Sequence, residues 1–270
     1  MDIRKALDYV RAHGAPLDVA RAEALVAWMP PAAEAVRLLE GAQNADGGWS
    51  LERAAGRPST VPGTCEALAL AHDWGFVETL STHRGLAYLA AQQQPDGGWQ
   101  DTAAAEMPTP RWLSRGEEAG RLYVTAWASS LLAAFDRQQE PAAGKALDFL
   151  LKYQLEGGLF AGFPRHTAWY ALPLLARVLG IRSGPAQNIL LSLGRELAEP
   201  GWFPSMFAEM LYHTLLAGCG LETPLVRAVW EQLLMRQRED GAWASEDGDA
   251  GDLRSTVEVM RCWRRIVKKP

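Results

Sequence analysis

Five pairs of positions four residues apart hold most of the side chains in this sequence that could do chemistry. They are Pro62 and Glu66, Tyr123 and Trp127, Arg165 and Trp169, Ser205 and Glu209, and Arg254 and Glu258. On an α-helix, residues at i and i+4 share one face, so each pair presents two side chains in the same direction. A carboxylate taken out of water has a raised pKa and can move a proton, which makes Glu66, Glu209 and Glu258 the candidate acids or bases. Arg165 and Arg254 have the planar fork that holds a carboxylate or a diphosphate. The rings of Tyr123, Trp127 and Trp169 attract a cation through their π faces. His213, four residues after Glu209, extends that face by a further turn. A plainer reading is also open: Arg254 and Glu258 form an intrahelical ion pair, and Glu66 and Glu209 bond the ends of neighbouring helices.

Other clusters offer less. Cys65, Cys219 and Cys262 are an odd, widely spaced set without a Cys-x-x-Cys pair, which argues against a disulfide framework and a zinc knuckle. A tetrahedral zinc site needs three or four converging ligands, and Cys65, His166, His213 and Cys219 share no recognisable spacing. No metal or other cofactor is implied, and Cys219 reads as a small buried apolar residue. The acidic run from Glu246 to Asp252 reads as a solvated loop.

The elements that must position these side chains follow from an internal repeat. Gln43, Gln93 and Gln237 each stand six residues before a tryptophan, Trp49, Trp99 and Trp243, across an Asp-Gly-Gly or Asp-Gly-Ala turn. Weaker copies run from Gln154 to Phe160 and through Glu199-Pro200-Gly201-Trp202. An apolar helical stretch precedes each turn. The stretches that follow, such as Thr64–His72, Thr125–Ala134, Thr167–Ala176 and Thr256–Trp263, are apolar on every side and predict buried inner helices. Residues 6–10 and 17–28 form a sixth, turn-poor hairpin. Hairpins that cannot bury their own inner face must stack. The pattern predicts an all-α protein of one domain, residues 1–270, with repeats at roughly 1–30, 31–78, 82–136, 142–180, 184–222 and 224–267.

Composition sets the outer limits. With 48% hydrophobic and 22% charged residues the chain can bury a sizeable core. A net charge of −5 supplies no field for a polyanion, so no nucleic acid is expected as a partner. No stretch is long and apolar enough to span a membrane, and Met1-Asp2-Ile3-Arg4-Lys5 runs into an amphipathic pattern with no signal-type core, so a cytoplasmic protein is expected. The second repeat has an insertion at 101–120, rich in Ala, Pro and charge, with Trp112-Leu113 at its middle. Such a loop is expected to be a lid, a peripheral membrane contact made through Trp112, or a disordered segment.

The Gln-x-x-Asp-Gly-Gly-Trp turns between an outer and an inner helix resemble the repeat of the terpenoid cyclase and protein prenyltransferase superfamily, in particular the squalene and hopene cyclases. The resemblance spans about residues 30 to 270. It implies an α/α toroid, a six-hairpin barrel in which the Gln and Trp of each turn are framework. In the cyclases an Asp-x-Asp-Asp-Thr run supplies the proton two residues before the Thr. Only Asp252 of Asp252-Leu-Arg-Ser-Thr256 matches that run, and not at the position of the acid. In the prenyltransferases zinc is held by Asp, Cys and His; Tyr212-His213-Thr214 looks like the His segment, but the Asp-x-Cys half is missing. The resemblance also implies that the position two before the Thr faces the cavity. That would set Pro62, Tyr123, Arg165, Ser205 and Arg254 in one ring and Glu66, Trp127, Trp169, Glu209 and Glu258 in the next.

Two functions follow as expectations. One is a terpenoid cyclase or prenyltransferase-like protein with an isoprenoid in the cavity of the toroid, using Glu66, Glu209 and Glu258 for proton transfer and Tyr123, Trp127, Arg165, Trp169, His213 and Arg254 for binding. The other is a noncatalytic toroid that binds a hydrophobic ligand or a protein partner, such as a second subunit. A carbohydrate enzyme on the same scaffold is a weaker third, to be favoured by paired carboxylates across a polar cavity.

Overall fold

The computed structural model describes residues 1–54, 56–100 and 117–267. Residues 101–116, with Trp112 and Leu113, lie outside the described residues, and α6 begins just after them. Among the described residues there are twelve α-helices and no strand, which is the all-α class the patterning predicts. They are α1 (Ile3–His13), α2 (Pro16–Ala27), α3 (Ala33–Gly41), α4 (Val61–Asp73), α5 (Leu80–Gln92), α6 (Glu118–Ala134), α7 (Pro141–Tyr153), α8 (Pro164–Leu179), α9 (Gly184–Glu196), α10 (Pro204–Leu216), α11 (Pro224–Met235) and α12 (Asp252–Ile266).

Local chemistry fixes where these helices start. Proline opens α2, α7, α8, α10 and α11, where its missing N–H costs nothing and its φ is already helical. Asp2 caps α1 by accepting the N–H groups of Arg4 and Lys5, and Thr60 caps α4 through Gly63. The even-numbered helices from α4 to α10 are buried over most of their length, whereas the odd-numbered ones keep an exposed face.

The helices form two compact units, Leu39–Leu193 and a second made of Met1–Leu38 with Gly194–Pro270. Within the first, α6 packs against α4 and α8, with α5 and α7 outside them. Within the second, α10 packs on α12, and α12 also packs on α1 and α2, so the first and last hairpins of the chain are neighbours.

One set of bonds recurs at the turns. The indole N–H of Trp49, Trp99 and Trp243 donates to the carbonyl ten residues earlier, on Leu39, Leu89 and Leu233. All three rings are completely buried, so truncating one to Ala should cost about 3–5 kcal/mol. Their backbone N–H groups donate to Thr64, Thr125 and Thr256 Oγ1, which pins each inner helix to its turn. The side-chain amide of Gln43, Gln93, Gln154 and Gln237 donates twice: to the carbonyl of Gly47, Gly97, Gly158 and Gly241, and to the first turn or cap of another outer helix at Ser81, Ala142, Pro185 and Asp2. Gly97 and Gly241 have φ of 93° and 95°, and a Cβ there would collide with the carbonyls of Lys145 and Lys5. Glycine is required on both counts.

Candidate functional site

The unit of α4 to α8 contains an aromatic group assembled from two inner helices. Tyr123 and Trp127 stand one turn apart on α6, which packs against α8. Tyr170 of α8 meets the Tyr123 ring edge-on at 5.5 Å and Trp127 at 6.0 Å. Phe163 and His166 approach Tyr123 at 5.9 and 6.4 Å, and His166 lies 4.5 Å from Trp169. Tyr123 and Trp127 keep slight exposure and Trp169 has none. On α8 it is therefore His166 and Tyr170, one position on from Arg165 and Trp169, that meet the α6 aromatics. Thr167 Oγ1, at the start of the same helix, is buried without a hydrogen-bond partner. The bond that pins α4, α6 and α12 to their turns is missing from α8. Arg165 itself is half-buried at the start of α8.

In the same unit Glu66 lies on α4, with its carboxylate 3.8 Å from an Nη of Arg53. Arg53 ends a single 3-10 turn, Leu51–Arg53, that crosses the start of α4.

The unit of α1, α2 and α10 to α12 contains a polar seam between α10 and α12. Ser205 Oγ accepts the N–H of Glu246 at 3.2 Å. One turn further along α10, Glu209 accepts from Arg254 of α12 at 3.0 Å. Glu209 is largely buried, with 13% of its side chain exposed, while Arg254 is mostly solvated. Glu258 pairs with Arg261, both nearly buried, so Arg254 bridges to another helix and the expected Arg254–Glu258 pair is replaced by two different ones. The Arg261 guanidinium stacks on Tyr212 at 3.6 Å, and Arg265 approaches the same ring at 4.9 Å. His213 meets the Tyr212 ring edge-on at 5.2 Å. Burial, reinforced by the charges of Arg261 and Arg265, holds its pKa well below the usual imidazole range, so the ring is neutral.

Each of the three candidate carboxylates thus has its own arginine: Glu66 with Arg53, Glu209 with Arg254, and Glu258 with Arg261. Carboxylates held this way are suited to accept a proton or to face a developing cation. Arg261 and Tyr170 sit three residues from Glu258 and four from His166, a helical spacing that is present in the sequence. Arg53 had no such signal, because its side chain reaches α4 only through the fold of a turn.

The remaining groups are structural. Asp252 at the end of the acidic run is buried, accepting from Ser245 N–H and Arg238, while Glu246, Asp247 and Asp249 are exposed. Arg238 also hydrogen-bonds Asp240 and holds it below the usual carboxylate range. Burial pushes the Cys219 thiol up, which keeps it protonated. Among the described residues, no three of His, Cys, Asp and Glu come together as metal ligands, and no helix is long and apolar enough to cross a membrane.

No protein-family model and no curated protein matches this sequence. Solved structures do. A crystal structure of a protein from Actinoplanes aligns with a TM-score of 0.67 at 18% identity, over 97% of this chain and 98% of that one. The type II terpene cyclase MstE from Scytonema, without ligand, gives 0.66 at 18% identity, over 97% of this chain and 96% of that one. A variant of MstE in complex with geranylgeranyl dihydroxybenzoate, its substrate, gives 0.65 at 18% identity, over 97% and 95%. At such low identity a likeness speaks for fold and not for chemistry. This chain has an α/α-toroid fold similar to that of a type II terpene cyclase.

Proposed function

We propose that this protein is a terpenoid cyclase or prenyltransferase-like toroid of one domain that binds an isoprenoid, or another long apolar ligand, in its interior. The observation that carries the proposal is the aromatic group of Tyr123, Trp127 and Tyr170, built on two inner helices of a fold similar to that of a cyclase with a geranylgeranyl substrate. Tilted and edge-on rings of this kind present apolar surface to a polyene chain and π faces to a carbocation. Glu209 and Glu258, with Glu66, are the proposed proton-transfer groups, each facing an arginine.

A noncatalytic toroid that holds an apolar molecule or a protein partner is the second reading. The pairing of every candidate carboxylate with an arginine favours it.

Native mass spectrometry of the protein purified from its source cells, followed by extraction, should recover a bound apolar molecule. Turnover of the recovered compound that is lost in both Glu209→Gln and Glu258→Gln selects the enzyme. Turnover unchanged in both variants removes the acid–base assignment, and binding without turnover selects the second reading.

A further inference from the structure

The end of α12 differs in charge from the rest of the chain. From Arg261 to Lys269 there are five cations, Arg261, Arg264, Arg265, Lys268 and Lys269, and no carboxylate, in a protein of net charge −5. Lys268 and Lys269 lie outside the described residues, so the geometry comes from the arginines. Arg261 is taken up by Glu258. Arg264 is framework: it donates to the Ala24 carbonyl at 2.6 Å and lies over the Trp28 ring at 4.9 Å. Arg265 is exposed, 4.9 Å over the Tyr212 ring. Glu23, next to Ala24 on α2, is already paired with Arg11.

Apolar side chains stand beside these cations. Trp28 closes α2 with φ of 57°, in the left-handed region, and the residue after it, Met29, is 64% exposed. The Trp28 and Trp263 rings lie 6.5 Å apart, both half-buried. Val267, whose N–H still donates to the Trp263 carbonyl, is 38% exposed. Because α12 packs on α2, the ends of the two helices form one surface of two indoles, an exposed Met and Val, and a cluster of cations. Charge separates it from another exposed methionine, Met235 at the end of α11, which is 71% exposed but has Glu231 one turn before it on the same face.

We propose that the joined ends of α2 and α12 dock on an anionic lipid surface. Trp28, Met29, Trp263 and Val267 enter the head-group layer, Arg264 holds the Trp28 ring in place, and Arg265 with the two lysines that follow supplies the positive charge. Indole rings, apolar in the body and polar at the N–H, settle at a water–lipid boundary, and each cation near an anionic leaflet adds attraction. One weak signal gives only marginal attachment, whereas apolar insertion beside a polybasic stretch combines two. A lipid surface satisfies both sets of side chains at once. The surface belongs to the unit of α1, α2 and α10 to α12, not to that of the Tyr123, Trp127 and Tyr170 rings, so it stands independently of the apolar-ligand reading.

The test sediments the full-length protein with vesicles of phosphatidylcholine alone and of phosphatidylcholine with about one third phosphatidylglycerol. At about 0.1 M salt the wild type should bind the anionic vesicles at least about tenfold more tightly than the neutral ones, and at about 0.5 M it should lose most of that preference. Arg265→Glu, which reverses one exposed charge, and Met29→Asp, which puts a carboxylate where an apolar side chain enters, should each weaken binding to the anionic vesicles at least about fivefold. Met235→Asp, the same change on α11, should leave it within about twofold of wild type. Should Arg265→Glu fail to fold, the double variant Lys268→Glu, Lys269→Glu replaces it with the same expected loss. Equal binding to both vesicles, binding to neither, or a loss that Met235→Asp shares overturns the docking surface. Binding unchanged in Arg265→Glu and Met29→Asp also overturns it, because the lipid contact is then elsewhere on the molecule. Capture by a poly-glutamate peptide with binding to neither vesicle overturns it in favour of an acidic protein partner.

Discussion

Gln237 and Asp2, 235 residues apart in the chain, are joined by two hydrogen bonds: Asp2 N–H donates to Gln237 Oε1 at 2.6 Å, and Gln237 Nε2 donates to the Asp2 carbonyl at 2.8 Å. The same amide also reaches Gly241, so the last turn holds its own loop and the cap of the first helix at once. Gln237→Ala should cost about 1–2 kcal/mol in urea unfolding, the net worth of partly exposed hydrogen bonds. Gln237→Glu should cost more, because a carboxylate would face two carbonyl oxygens. A loss no larger than that of an exposed glutamine such as Gln139→Ala would show that the clasp is not a stabilising contact.

The inner-helix threonines should separate into two classes. Thr125→Val removes the acceptor of the buried Trp99 N–H and should destabilise by about 1–3 kcal/mol. Thr167→Val removes a buried hydroxyl that has no partner and should be neutral or stabilising by up to about 1 kcal/mol. Equal losses at both positions would contradict the difference in bonding between the two hydroxyls.

The Glu258–Arg261 pair gives a double-mutant test. Arg261→Met leaves a buried carboxylate without its charge partner and should cost about 3 kcal/mol or more. Adding Glu258→Leu should recover most of that loss, since a buried ion pair exchanged for apolar side chains is often neutral. Additive losses in the cycle, measured by denaturant unfolding, would mean the two side chains act independently.

His213 makes stability depend on pH in a defined window. Its folded pKa lies well below the ordinary 6.5, so as pH falls through 6.5 the unfolded chain takes up a proton that the folded chain refuses. The unfolded state then binds more protons, and stability must fall with falling pH. The decline should start near pH 6.5 and disappear in His213→Phe. Asp96 and Asp240, whose arginine partners lower their pKa from 3.8, contribute stability that is lost only at more acid pH, so the two windows are separable. A wild-type profile flat between pH 7.5 and 5 would refute the burial of a neutral imidazole, since about one proton should be taken up across that range on unfolding.

The helices and the framework bonds are legible in the chain because they depend on signals that are local or periodic. A proline or a capping Asp or Thr sets where a helix begins, apolar residues on every side mark an inner helix, and a Gln six residues before a Trp fixes a turn whose amide and indole bonds recur at Gln43, Gln93 and Gln237. Tertiary structure alone decided which charges meet. Arg254 could equally pair with Glu258 on its own helix, and only the packing of α10 on α12 gives it Glu209 instead. The loss of the pinning bond at α8 was hidden for a similar reason: the sequence shows Thr167 in the expected place, and only the folded turn reveals that its hydroxyl has nothing to bond. Arg53 was the least legible of all, since its direction comes from one left-handed residue in a short turn and no periodic pattern encodes that angle.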